Sequence, residues 1–516
     1  MLRWVLVGVA TLAIVACGEG DGAAPNNESP AGTAGPTVVR KPPFEWGACQ
    51  FDIDIGATAN CGYLTVPEDR SRPDGPTIRL HVGVFESESA DPAPDPMLYL
   101  GGGPGENSTE ATSLGFETRI EPFLATRDYV VLDQRGTGYS RPSLDCPELD
   151  SAFKEHLDED LTREEERSLH QQAIFECHDR LLSEGVNLAA YRSAESAADV
   201  EDLRLALGYD SWNIHGVSYG TRLALTVMRD FPAGVRSVVL DSTYPPQQNL
   251  YAAFPANARR AFDTFFGGCA ADPACDEAYP SLESVFFDTV DALNAAPITE
   301  SITNPLTEET YDVTVIDGDG LMEFLFQSLY STELIPLLPR IIYDVADGDT
   351  SLMGRILGSF YAQNEELFTP GMHFSVQCSD EVALTAPDAV AAAGAAYPEL
   401  LALTAGDAFS GDGVFAVCQK WGSAATDPKE DQPVTSDIPT LVLAGEYDPI
   451  TPPEWGQQAA DTLSRHYSYV FPGIGHGVAT ADDCPQSITM AFLADPTVAP
   501  NASCVSGMGG PEWVVE

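Results

Sequence analysis

The stretch Trp212-Asn213-Ile214-His215-Gly216-Val217-Ser218-Tyr219-Gly220-Thr221 constrains this chain more than any other. An apolar run predicts a strand through Ile214, and Leu223, Ala224, Leu225 and Val227 follow at helical spacing. Between them lies Gly216-Val217-Ser218-Tyr219-Gly220, a sharp turn from strand to helix. Glycines two residues to either side of Ser218 let strand and helix approach closely. The seryl oxygen is then exposed at the carboxyl end of the strand, and the N–H groups opening the helix face any negative charge that develops there. Alone the pattern is weak, because a loop serine after a glycine turn reads the same way. A catalytic reading requires a base, an acid and an oxyanion loop elsewhere in the chain.

The surrounding segments predict the sheet such a turn needs. Ile78–Glu86 alternates like a strand, and Met97–Leu100 is a second one that runs into Gly101-Gly102-Gly103-Pro104-Gly105. Consecutive glycines let backbone N–H groups point into a cavity without interference from Cβ atoms, although a plain Gly/Pro turn has the same composition. Tyr129–Leu132 and Val235–Leu240 are short apolar runs typical of buried parallel strands. Residues 147–207 read as helical, and Gly208 ends the last helix, Ala194–Leu207, just before the Ser218 strand. The alternation implies a mostly parallel α/β sheet with helices on both faces. Asp133 and Arg135, after the Tyr129 strand, are expected to pair with each other or with loop backbone and to hold the Gly101–Gly105 loop.

From about Pro245 to Pro433 the strand pattern lapses and helical stretches dominate, which predicts a helical cap over the carboxyl ends of the strands. The sheet resumes with Thr440-Leu441-Val442-Leu443-Ala444-Gly445 and again with His466–Phe471. The expected division is a first core part over 44–245, a cap over 246–430 and a second core part over 431–516.

Before the core, Arg3 precedes an apolar run ending in Ile14-Val15-Ala16-Cys17. The run is short for a bilayer span and has the form of a signal peptide. Small residues before the cysteine resemble a bacterial lipobox, in which Cys17 is lipidated after cleavage; an ordinary signal peptide cleaved nearby is the alternative. Residues 1–17 are thus expected to direct export, and 18–43, rich in Gly, Ala, Pro and Asn, to form a flexible linker. An anchored chain has a membrane as partner through its N-terminal lipid. The formal net charge of −52 argues against nucleic acid, whose phosphates need the opposite sign.

Export fits the cysteines. Apart from Cys17 there are ten, Cys49, Cys61, Cys146, Cys177, Cys269, Cys275, Cys378, Cys418, Cys484 and Cys504, with no C-x-x-C pair to suggest zinc. Pairing of sequential neighbours (49–61, 146–177, 269–275, 378–418 and 484–504) would close a short local loop each time.

An acyl-transfer serine needs a histidine base and an acid that fixes its tautomer. Three histidines follow Ser218. His373 lies in the cap and His466 begins a strand, whereas His476 sits in Gly475-His476-Gly477 just past a strand end. Asp448 ends the strand before it, with Pro449 stopping further extension. Asp241, at the end of the Val235 strand, is a second candidate acid. The order Ser218, Asp448, His476 favours Asp448.

Taken together, Gly101-Gly102-Gly103-Pro104-Gly105, Asp133-Gln134-Arg135-Gly136-Thr137-Gly138-Tyr139-Ser140, Gly216-Val217-Ser218-Tyr219-Gly220-Thr221, Gly445-Glu446-Tyr447-Asp448-Pro449 and Gly475-His476-Gly477 resemble the α/β-hydrolase fold. The likeness is to the proline iminopeptidase and tripeptidyl aminopeptidase group of exported serine peptidases. Gly101 stands where many relatives carry histidine, and the loop continues Glu106-Asn107-Ser108 where that branch has more glycine. The resemblance implies Ser218 as nucleophile, His476 as general base and acid, Asp448 as orienting carboxylate, and an oxyanion hole from the N–H groups of Gly103 and Tyr219. It implies peptide substrates and no metal or organic cofactor. Asp380 and Glu381, in the cap, are the candidates for holding the substrate's free amine. A carboxylesterase or lipase built on the same triad is the alternative activity.

Overall fold

A computed structural model describes residues 41–51, 58–404, 413–423 and 427–515, the side chain of Asn364 excepted. The expected signal peptide, Cys17 and nearly all of the 18–43 linker lie outside the described residues.

Eleven strands are assigned among these residues: β1 (Phe44–Gly47), β2 (Ala59–Pro67), β3 (Thr77–Phe85), β4 (Met97–Leu100), β5 (Tyr129–Leu132), β6 (Trp212–Val217), β7 (Val235–Asp241), β8 (Ile298–Thr303), β9 (Thr310–Ile316), β10 (Thr440–Gly445) and β11 (His466–Phe471). Nine form one sheet in the order β1-β2-β3-β5-β4-β6-β7-β10-β11. The β1–β2, β2–β3 and β3–β5 pairs are antiparallel, and every pair from β5–β4 to β10–β11 is parallel. The apolar run of β4 is buried throughout because its alternate residues feed two cores. Leu98 and Leu100 join Val130, Leu132 and Ile214 on one face, under the helices Ser193–Leu207 and Tyr219–Asp230. Met97 and Tyr99 join Tyr129 and Val131 on the other, against Phe123 and the helix Asp483–Ala494.

The insertion after β7 is helical, from Leu250–Ala271 to Gly413–Trp421, but it also contains the antiparallel hairpin β8–β9. Sequence patterning misses that hairpin because β8 is mostly polar and both strands are partly exposed. Asn304 makes its turn, its side-chain oxygen accepting the N–H groups of Leu306 and Thr307 at 2.9 and 3.1 Å. Five disulfides are formed, Cys49–Cys61, Cys146–Cys177, Cys269–Cys275, Cys378–Cys418 and Cys484–Cys504.

Asp133 and Arg135 do not pair with each other. The Arg135 guanidinium grips Asp199 at 2.8 and 2.9 Å, and Asp133 accepts the N–H and hydroxyl of Thr109 at 2.9 and 2.7 Å. The residue between them reaches the glycine loop, with Gln134 Nε2 donating to Gly101 O at 3.1 Å.

Candidate active site

Ser218 sits between β6 and the helix Tyr219–Asp230 at φ 57° and ψ −125°, a backbone region that side-chain-bearing residues rarely adopt. The flanking glycines make the turn possible. A Cβ on Gly216 would lie 2.4 Å from Gly220 O, and one on Gly220 would lie 1.9 Å from Leu100 O. The Ser218 N–H is tied to Asp241 O at 3.0 Å, so β7 braces the elbow.

The histidine and the acid come from neighbouring parallel strands. Asp448 follows β10 and His476 follows β11, and these strands continue the sheet from β6 through β7. His476 Nδ1 is 2.9 Å from Asp448 Oδ2. Asp448 is wholly buried. Its Oδ1 accepts the N–H groups of Ile450 and Thr451 at 3.0 and 2.9 Å, and its Oδ2 also accepts the Thr451 hydroxyl at 2.7 Å. Burial alone would raise the carboxyl pKa, but His476 and these donors hold it below the usual value. Burial depresses the imidazolium, yet the charges of Asp448, Asp241 and Glu106 outweigh it and raise the pKa of His476 above 6.5.

The second candidate acid has different work. Asp241, 1 % exposed, accepts the N–H groups of Val478 and Ala479 at 2.6 and 2.8 Å and lies 3.3 Å from His215 Nε2. It fastens the loop that carries His476 and does not touch the imidazole Nδ1, which Asp448 and the Thr451 hydroxyl occupy. The other two histidines are elsewhere: His373 Nδ1 is 3.3 Å from Pro104 O, and His466 Nδ1 is 2.7 Å from Leu463 O.

The glycine loop after β4 closes the site from the other side. A Cβ on Gly102 would lie 3.0 Å from Ser218 Cβ and 3.5 Å from its Oγ. The Gly102 N–H points to Glu106 Oε2 at 3.4 Å. Gly103 is next, at φ 97° and cis to Pro104. Tyr219 opens the elbow helix, with its ring buried and its hydroxyl 2.8 Å from Ser193 Oγ.

This architecture has a family. A family model described as the alpha/beta hydrolase fold matches residues 95–312, and one described as TAP-like protein matches residues 405–504. The chain has the α/β-hydrolase fold. This hydrolase is 27 % identical to the serine protease Hip1 of Mycobacterium tuberculosis over 482 residues, covering 89 % of this chain and 90 % of that one. It is 29 % identical to the tripeptidyl aminopeptidase of Streptomyces coelicolor over 219 residues, 40 % of this chain and 39 % of that one. It is also 25 % identical to carboxylesterase B of Mycobacterium tuberculosis over 491 residues, 91 % of each chain.

Asp380 and Glu381, the candidates for a substrate amine, lie inside the protein. Both are almost fully buried, at 4 % and 3 % exposure, and both are occupied inside the hydrolase. Glu381 Oε2 pairs with Arg222 Nη1 at 2.9 Å and accepts the Tyr244 hydroxyl at 2.8 Å, while its Oε1 accepts the Leu250 N–H at 2.8 Å. Asp380 Oδ2 accepts the Ser193 N–H at 2.8 Å, and its backbone oxygen takes Arg222 Nη2 at 2.8 Å. The pair bolts the cap to the elbow helix, and Glu381 is engaged through both of its oxygens.

Three cap residues at the site carry no sequence signal. Tyr330 O accepts the His476 N–H at 2.9 Å, with the two rings 4.9 Å apart. Arg260 donates to the backbone oxygens of Glu446, at 2.8 Å, and Asp448. Phe368 lies over the glycine loop, within 3.4 and 3.2 Å of Cβ positions built on Gly103 and Gly105. Thr451, only three residues after Asp448, was findable as the hydroxyl nearest the acid.

Proposed function

We propose that this hydrolase is an exported serine peptidase that cleaves near the N-terminus of peptides through an acyl-enzyme on Ser218. The observation that carries the reading is the His476–Asp448 contact of 2.9 Å, on loops after strands that continue the sheet from the one ending at Ser218's strained elbow. In this mechanism Ser218 Oγ attacks the scissile carbonyl carbon and His476 Nε2 takes its proton. Asp448, at Nδ1, fixes the tautomer and stabilises the imidazolium. The oxyanion is received by the N–H of Tyr219, at the helix start, and by that of Gly103. Gly102 is not the loop donor, because its own N–H is directed at Glu106. His476 then protonates the leaving amine, and water, activated by the same histidine, releases the acyl group. Each oxyanion donor is worth on the order of 3 kcal/mol of barrier.

Similarity to a serine protease over most of the chain, and to a tripeptidyl aminopeptidase over part of it, supports peptides as substrates. The further proposals are a lipid on Cys17, a linker to about residue 43, and a core of 44–245 and 431–516 interrupted by a cap over 246–430. The five disulfides fit an extracytoplasmic location.

The deciding experiment compares p-nitroanilides of free-amine di- and tripeptides with their N-acetylated forms and with p-nitrophenyl esters, using Ser218→Ala as the blank. Cleavage that needs the free amine and vanishes in the blank is expected. Ester turnover indifferent to an amine would move the protein to the carboxylesterase class.

A further inference from the structure

Glu106 is the residue at which the glycine loop departs from a glycine-rich continuation, and the structure gives it a specific place. A side chain at Gly101 has no room, because its Cβ would lie 2.5 Å from Glu106 Oε1 and 2.3 Å from Ser108 Oγ. Glu106 therefore fills, from five residues later, the space that position 101 leaves open. Its Oε1 accepts the hydroxyls of Tyr99 at 3.1 Å and Ser108 at 3.2 Å, and its Oε2 accepts the Gly102 N–H at 3.4 Å. All three contacts place a hydrogen-bond donor on the carboxylate. The backbone of Glu106 also bridges to Phe368 of the cap.

We propose that Glu106 is the positioning residue of the oxyanion loop: its carboxylate draws the Gly102 N–H to the core side and leaves Gly103 N–H for the oxyanion. The inference rests on Ser218 being the nucleophile. The rationale is electrostatic as well as geometric. A loop of consecutive glycines has many accessible conformations, and fixing one amide fixes the direction of the next. A carboxylate close to an oxyanion hole opposes the developing charge, and donors from Tyr99, Ser108 and the Gly102 amide disperse that charge. The same charge favours the imidazolium formed in the step. The titratable and charged groups around His476 are Asp448 after β10, Asp241 at the end of β7, Glu106 on the loop and Tyr330 of the cap. Those around Glu106 are Tyr99, Tyr129 and Arg119.

The test uses the full chain and three variants, Ser218→Ala, Glu106→Gln and Tyr99→Phe, with a p-nitroanilide or p-nitrophenyl ester that the parent hydrolyses. Glu106→Gln is expected to lower kcat about tenfold with KM within about twofold, because the lost alignment is felt mainly in the transition state. Removing the negative charge lowers the pKa of His476, so the acid limb of kcat/KM should move down by about half a pH unit. A merely structural role would not move that limb. Tyr99→Phe keeps the carboxylate and removes one of its donors, so kcat should fall about threefold with the acid limb unmoved. A folded Glu106→Gln enzyme with kcat within about twofold of the parent and an unmoved limb would overturn the proposal. Should that variant fail to fold, an unchanged kcat in Tyr99→Phe would overturn it instead. Activity surviving in Ser218→Ala would refute the nucleophile itself, a separate failure.

Discussion

The carboxylate of Asp241 and the backbone N–H of Val478, two residues beyond His476, are 2.6 Å apart. The neighbouring amides follow the same direction, Ala479 N–H to the other oxygen of Asp241 and Gly477 N–H to Ser242 Oγ at 2.9 Å. Three consecutive amides of the histidine loop are thus anchored on the end of β7. Asp241→Asn keeps the shape but turns an NH2 group toward one of those amides. It is expected to cost about 1–3 kcal/mol of stability. The same change should lower kcat about ten- to a hundredfold through misplacement of His476, with KM little affected. Urea unfolding and steady-state kinetics on one preparation check both.

Asp448→Asn should leave the fold intact and lower kcat by a factor on the order of 10⁴, because the amide favours the wrong imidazole tautomer. Thr451→Val removes one donor to the same carboxylate oxygen and is expected to cost about tenfold. A kcat for Asp448→Asn within tenfold of the parent would mean that another group orients His476.

The pH profile has a definite sign. In the proposed mechanism His476 acts as a base in its neutral form, and its pKa is raised above 6.5 by Asp448, Asp241 and Glu106 against the opposing effect of burial. Activity should therefore appear as pH rises through a value above 6.5, later than an isolated imidazole would allow. Asp448 is held below the ordinary carboxyl range and stays ionised across that window. The acid limb of kcat/KM measures the first value; a limb centred well below 6.5 would contradict the charge environment around His476.

Glu381→Gln and Arg222→Met each leave one member of a buried ion pair without its partner. Either change should destabilise the folded chain by about 3–5 kcal/mol, seen as a lowered urea midpoint. Selectivity for a free substrate amine should not change in the protein that remains folded. A Glu381→Gln enzyme of normal stability that lost the preference for free amines would return this carboxylate to the substrate site.

The parts legible in the sequence are those whose physics is local. The elbow declares itself because two glycines must flank Ser218 for the backbone to pass, and β4 and β5 do so as unbroken apolar runs. Asp448 and His476 follow from strand ends and chain order. What was not legible depends on partners far along the chain. Glu381 looks like any cap carboxylate until Arg222, 159 residues earlier, is seen to neutralise it. Arg135 is likewise explained by Asp199, and Tyr330 by a backbone oxygen that no side-chain pattern encodes. The β8–β9 hairpin escaped because β8 is mostly polar and part-exposed, which left the Tyr311, Val313, Val315 alternation of β9 without a visible partner.

The cap meets each loop of the site separately. Arg260 holds the backbone at Glu446 and Asp448, Tyr330 holds His476, and the segment around Phe368 and Thr369 is stitched to Gly105 and Asn107. A hinged cover could swing away and leave the loops beneath unchanged; here the insertion is hydrogen-bonded to the loops of Asp448, His476 and Gly105. Exchanging residues 246–430 for the corresponding stretch of a relative, as one would swap a specificity cassette, would therefore transfer only a substrate preference if the guest segment brought its own equivalents of all three fastenings. Without them the graft would yield a protein whose core folds and whose catalytic loops have lost their outer support.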